Sequence, residues 1–232
     1  NWLPDLDQLR RLIRPNTKMI CINNANNPTG ALMDAAYLEE LVAIAKEVDA
    51  YIFSDEVYRS FDQPAPSIVD LYDKGIAVNS LSKTYSIPGI RVGWVASNTE
   101  VADILRDYRD YTMICAGVFD DMVATLVLEN REAILERNRQ IVEENLALMD
   151  EWIAKEPKAS WIRPASVSTS FVKLDVNRPI EDFALELLQD YGVLVVPGNR
   201  FDKESHVRIG YCCDKEVLQK GLEKLSQFLN KC

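Results

Sequence analysis

Residues 75–91 read GIAVNSLSKTYSIPGIR, and this run decides how the rest of the chain is read. It opens as a short apolar stretch over 75–79, the pattern of a buried strand. It then turns polar at once, through Ser80, Leu81, Ser82 and Lys83, with Arg91 eight residues beyond the lysine. In open α/β sheets, ligands sit beyond the carboxyl ends of the strands. Burial there favours the neutral form of a lysine, and a neutral amine can attack an aldehyde. Arg91 adds a planar fork suited to phosphate, and Ser80 and Ser82 can give hydroxyls to the same group. A lone lysine after a strand is ordinarily solvated surface. The Ser-x-Ser-Lys spacing with the later arginine argues for chemistry instead.

Two earlier apolar runs end in the same manner. Residues 18–23 lead into Asn26, Asn27, Pro28, Thr29 and Gly30, and residues 50–54 lead into Asp55 and Glu56, with Tyr58 close behind. Three strand ends thus supply an amide, an acid and an amine, which points to a single site. Asp34 can cap a helix running to about residue 48, with Leu38, Leu41, Val42 and Ala45 on one face. Residues 92–96 read as a fourth strand, and residues 1–13 as an amphipathic helix.

From about Asn98 the pattern turns helical. Residues 130–156 contain no Gly or Pro and predict one long helix, stopped by Pro157. Strands are expected over 170–174, 193–196 and 206–211, and helices over 180–191 and 214–229. The alternation places the chain in the α/β class. A mostly parallel sheet is expected in a large domain over 1–142, and a smaller α+β domain over 143–232, the two joined by the long helix.

Each candidate residue has a plain reading and a chemical one. Asp55 could cap the next turn, or sit under a pyridine nitrogen and keep it protonated. Tyr58 could pack in the core, or direct its hydroxyl at a phenolate oxygen. Asn27 lies among turn formers, yet follows a strand and precedes a helix, where its amide could bond a cofactor. Arg208 lies between apolar neighbours on a predicted strand, so it needs an anion: a structural acid, or a substrate carboxylate held by its fork. The single histidine, His206, has no neighbour that would make it a base or a ligand.

Composition narrows the classes. Lys plus Arg is 26 against 36 for Asp plus Glu, a formal charge of −10, which disfavours nucleic acid as a partner of this segment. No apolar run reaches the ~20 residues that a bilayer-spanning helix needs. The first residues lack the basic and then apolar pattern of a signal peptide. The five cysteines form no Cys-x-x-Cys pair, and only one histidine is available, so no metal site is expected. They are expected to be reduced thiols in a cytosol, buried as small apolar residues.

Taken together, Asn27-Pro28-Thr29-Gly30, Asp55-Glu56-Val57-Tyr58, Ser80-x-Ser82-Lys83 with Arg91, and Val207-Arg208-Ile209 resemble the motifs of fold-type I, class I/II aminotransferases in order and rough spacing. The resemblance spans nearly the whole chain. It implies pyridoxal 5′-phosphate (PLP) as cofactor, with Lys83 as the Schiff-base lysine and proton shuttle. It implies Asp55 on the pyridinium nitrogen, Asn27 and Tyr58 on the ring oxygen, and Ser80, Ser82 and Arg91 on the phosphate. Arg208 would then take the substrate carboxylate. Amino-acid and 2-oxo-acid substrates and a homodimer follow from the same resemblance, and the cysteine usage puts it in the cytoplasm. So does a segment ahead of residue 1, carrying early strands, a phosphate-binding turn and a ring-stacking aromatic. None of these is found here, so an incomplete sheet with exposed edges is expected. Two neighbouring readings use the same residues. One is a C–S β-lyase, although lyases of that kind often carry histidine where this chain has Tyr58. The other is the PLP-sensing, aminotransferase-like domain of a transcription regulator.

Overall fold

A computed structural model describes residues 1–61, 65–165 and 167–231. They form two units: Leu3–Asn26 with Ala31–Asn138, and Arg139–Cys232 with Asn1–Trp2 and Asn27–Gly30.

The first unit begins with α1, Leu6–Leu12, whose first turn is closed by the Asp5 carboxylate accepting the Gln8 N–H at 2.9 Å. This helix is shorter than the one expected over 1–13. Asp5 is extended as the cap, so the residues before it stay outside the helix. β1 (Met19–Asn23), α2 (Ala35–Glu47), β2 (Tyr51–Asp55), α3 (Ile68–Leu71), β3 (Gly75–Ser80) and β4 (Gly93–Ala96) follow. The sheet order is β1-β2-β3-β4, with the first three strands parallel and β4 antiparallel. Asn23 pairs with Asp55, and Asp55 with Val78, so the first three strands end along one edge. Leu38, Leu41, Val42 and Ala45 of α2 are buried against Ile20, Ile52 and Ala77 of the sheet. The edge strand β4 leaves Trp94 and Val95 exposed. Then come α4 (Thr99–Arg109) and α5 (Val118–Glu129), with a non-helical turn between them. The long helix α6, Arg131–Lys155, has its first turns in this unit and the remainder in the other.

The second unit holds a separate four-stranded sheet. Its strands are β5 (Ala159–Trp161), β6 (Thr169–Leu174), β7 (Val196–Pro197) and β8 (His206–Gly210), in the order β5-β6-β8-β7, all antiparallel. β7 is only two residues long, where a strand over 193–196 was expected. Gly192, in the left-handed region at φ +67°, closes the preceding helix, and Val193 donates its N–H back to Leu187, which delays the strand. The helices are α7 (Ile180–Tyr191) and α8 (Lys215–Leu229). Ile180, Phe183 and Leu187 of the first and Leu218, Leu222 and Leu225 of the second repeat at helical spacing and are buried. On α6, Asn145 is also buried here, and its amide donates to the Tyr211 and Cys213 carbonyls at 2.7 and 2.8 Å.

The cysteines differ from expectation. Cys21, Cys115, Cys212 and Cys213 are free and exposed, and Cys232 lies outside the described residues. Cys21 lies on the edge strand β1, Cys115 in the turn between α4 and α5, and the adjacent pair just past β8, all places that a small side chain can occupy without entering the core.

The Asp34 carboxylate accepts the Tyr37 N–H at 2.9 Å and so starts α2. Asp34→Ala is expected to lower unfolding free energy by about 0.5–2 kcal/mol in urea titrations. An unchanged midpoint would mean that tertiary packing alone sets this helix end.

Candidate active site

In the first unit, Asp55 is the last residue of β2 and is half-buried. Its Oδ1 accepts the Val57 N–H at 3.1 Å. Its carbonyl accepts both the Asn23 side-chain amide at 3.0 Å and the Asn24 N–H at 2.9 Å. Ala25 donates to the Tyr58 carbonyl at 2.7 Å, so the segments following β1 and β2 are laced together by backbone. Glu56 continues the pairing with β3 through its N–H to the Val78 carbonyl at 2.8 Å. Its buried carboxylate turns away, accepting the Ile68 N–H at 2.9 Å and facing Arg59 at 3.7 Å.

The turn after β3 is held from both sides. Leu81 is fully buried, packed with Ala124 and Val127, and donates its N–H to the Val92 carbonyl at 3.1 Å. That anchor sets the flanking residues outward. Ser80 Oγ accepts the Ser82 N–H at 3.3 Å, so its hydroxyl proton remains for another partner. Lys83 Nζ lies 5.5 Å from the centre of the Tyr58 ring. The amine is exposed rather than buried, because the turn carries it off the end of the strand, while neighbouring Leu81 and Thr84 take the buried positions. Arg91 ends the short 3-10 turn Pro88–Ile90 in the left-handed region at φ +55°, and donates to the Pro88 carbonyl at 2.8 Å.

Thr84 is a residue that the sequence reading did not single out. Its Oγ donates to the Val57 carbonyl at 3.1 Å and accepts the Arg59 N–H at 3.1 Å, bracketing Tyr58. Its own carbonyl accepts the buried Asn138 amide at 2.9 Å. Thr84 thus fixes the Lys83 turn to the Tyr58 turn. Only its place beside Lys83 could have drawn notice to it.

In the second unit, the turn Asn27–Gly30 packs on Pro164, Val167 and Thr169. Gly30 has φ +70°, and an added Cβ would stand 2.4 Å from Pro164 Cβ, which explains the glycine. Ala165 donates to the Gly30 carbonyl at 3.0 Å. Arg208, half-buried at the centre of β8, donates from Nη1 to Asn27 Oδ1 at 3.0 Å. Its guanidinium carbon is 5.6 Å from the Phe201 ring centre. The neighbouring His206 stacks on Phe171 at 4.8 Å. Burial first, and then Lys173 and Lys203, push its imidazole below the ordinary histidine range, in keeping with a structural role.

One property is common to the charged candidates. Among the described residues, no ion pair involves Asp55, Lys83, Arg91 or Arg208, although charges elsewhere are paired, such as Arg163 with Asp150 at 3.0 Å and Arg178 with Glu186 at 2.7 Å. Among the described residues there is also no group of three or more His, Cys, Asp or Glu placed to hold a metal ion, and no helix long and apolar enough to cross a membrane.

Residues 1–225 match the family "Aminotransferase class I and II". The chain belongs to that family, the fold-type I PLP-dependent aminotransferases. Among curated relatives, it is 28% identical over 232 residues to capreomycidine synthase of Streptomyces vinaceus, covering 98% of this chain and 60% of the relative. It is 30% identical to the aspartate aminotransferase of Thermotoga maritima, covering 99% and 61%. Among solved structures, a PLP-dependent aminotransferase from Streptococcus suis 89-1591 is 70% identical with a TM-score of 0.98, over 99% of this chain and 62% of that one. The chain therefore spans about 60% of the length of the curated relatives it matches.

Thr84→Val keeps shape and removes both hydroxyl bonds, leaving the Val57 carbonyl and the Arg59 N–H unsatisfied. A loss of about 1–3 kcal/mol is expected by denaturant unfolding. A change under about 0.5 kcal/mol, at the level of an ordinary surface substitution, would show that the two turns are held by something else.

Proposed function

We propose that the protein transfers an amino group between an amino acid and a 2-oxo acid, with pyridoxal phosphate bound among the residues described above. The observation that carries this reading is that Asp55, Lys83, Arg91 and Arg208 have no counter-charge among the described residues. Leaving a half-buried charge unpaired, as at Asp55 and Arg208, is costly, which supports keeping these two for a ligand, while Lys83 and Arg91 stand exposed and accessible to the same ligand.

The residues fit the cofactor's chemistry. Asp55 Oδ1 is engaged by one backbone N–H, and the rest of its carboxylate suits a protonated ring nitrogen. Ser80, Ser82 and Arg91 offer hydroxyls and a guanidinium to a phosphate. Tyr58 and Asn27 suit the ring oxygen. When bound, the cofactor supplies an electron sink for a carbanion at the substrate α-carbon. Lys83 holds the cofactor and moves the proton at that carbon. Tyr58 stands beside the amine. Arg208 orients the substrate by its α-carboxylate. The names of relatives such as aspartate aminotransferase support this reaction class, as does Tyr58 in place of a histidine.

Borohydride reduction of the PLP-treated protein, followed by peptide mapping, should place the cofactor's mass on the peptide containing Lys83. A label on any other lysine would remove Lys83 from this role. Lys83→Ala is expected to cost on the order of a thousandfold or more in transamination. Pyruvate release from cystathionine, without need for an oxo acid, would favour the lyase instead.

We also propose a cytoplasmic homodimer. The free cysteines suit a reducing compartment. The apolar face of α4 and α5 supports association, since Ile104, Tyr108, Phe119, Met122 and Leu126 are all exposed. Sedimentation should give twice the chain mass, and Phe119→Glu with Met122→Glu should shift it toward monomer. A monomeric parent protein at micromolar concentration would refute the dimer.

A further inference from the structure

We propose that Phe201 is a positioning residue that holds the Arg208 guanidinium, by its ring face, in the orientation that receives a carboxylate. The inference rests on the reading of Arg208 as the substrate-carboxylate residue and names what keeps that arginine ready.

Arg208 is half-buried on β8, and a guanidinium in that setting ordinarily finds an acid. Here it has none among the described residues. Its two partners are the Asn27 amide oxygen at 3.0 Å and the Phe201 ring at 5.6 Å. Both attract the cation without neutralising it. A carboxylate partner would compete with each incoming substrate. The negative face of an aromatic ring stabilises the guanidinium from one side and leaves its in-plane N–H groups for a bidentate anion.

The fold is arranged to put that ring there. Phe201 ends the 3-10 turn Gly198–Phe201, between β7 and β8. Gly198 starts the turn, where an added Cβ would lie 2.2 Å from the Lys203 carbonyl and 2.4 Å from the His206 carbonyl. The turn therefore lies backbone against backbone on the beginning of β8. Asn199 donates to Glu181 at 2.7 Å, and Arg200 pairs with the same carboxylate, so both side chains are drawn to α7. Phe201 instead packs edge-on against Phe171 at 5.8 Å. Phe171 is the residue paired with Arg208 across the β6–β8 ladder. The ring is thus braced by the strand next to the arginine's own.

The test replaces Phe201 with phenylalanines carrying one, two and three ring fluorines. These keep ring shape and packing while draining the negative face. Succinate is titrated into each purified protein, and the Arg208 side-chain NH resonance is followed by NMR. Thermal melts confirm equal folding. The dissociation constant is expected to rise stepwise with fluorine number, reaching about three- to thirty-fold when the ring attraction is lost. Phe201→Leu should give the same loss and Phe201→Tyr should restore binding. A wild-type Arg208 resonance that does not respond to succinate overturns the carboxylate role of Arg208 itself. A response whose affinity is indifferent to fluorination overturns the role of Phe201 alone, because a purely packing ring would behave in that way.

Discussion

The parallel pairing of β1, β2 and β3 is the constraint from which the face of the first unit that carries the candidate residues follows. Parallel strands share a direction, so their carboxyl ends lie along one edge, and the register Asn23–Asp55–Val78 fixes how far each advances. No hairpin can join such strands. Each must be followed by a crossover, here made by α2 and by the segment containing α3. The polar residues that leave the strands are consequently the first residues of connections, carried on a rigid sheet. Backbone bonds from Asn24 and Ala25 to Asp55 and Tyr58 extend this order a few residues past the strand ends.

Side chains that carry no charge complete the frame. Thr84 joins two turns through one hydroxyl, and Asn138 fixes Thr84 from the start of the long helix. In the second unit, Asn145 does similar work for the chain leaving β8. Neutral hydrogen bonds in buried places tie loops down without placing new charge near Asp55, Lys83 or Arg208. Apart from the buried Glu56 facing Arg59, pairs such as Lys215 with Glu144 at 3.2 Å lie on exposed surface, where each contributes little to stability.

The class of fold and most elements were legible in the chain, although α3 and β5 were not among those expected and α4 and α5 were read only as a helical stretch. Apolar runs that end in polar residues marked β1, β2 and β3. Asp34 signalled the start of its helix through a side chain that does cap it, and Asn98 and Asp214, where helical pattern was expected to begin, also cap theirs. Misreadings occurred where turn geometry or position in the fold outweighed the apolar pattern. Gly192 and the return bond from Val193 shortened β7 to two residues. Cysteine type suggested burial, but strand edge and loop position left four of them exposed. Lys83 follows an apolar strand, yet burial passed to Leu81 and Thr84 on either side of it.

The sequence by itself determined which residue types stand at which strand ends, since alternation, capping and turn chemistry act over a few neighbouring residues. It also marked Asp55, Lys83, Arg91 and Arg208 as charges in unusual company. Only the tertiary structure decided that these four have no counter-charge among the described residues, that Thr84 ties the Lys83 turn to Tyr58, and that Phe201 lies under Arg208. Such facts depend on which side chains from remote parts of the chain arrive within a few ångströms of one another. Packing in three dimensions sets that, and no local spacing encodes it.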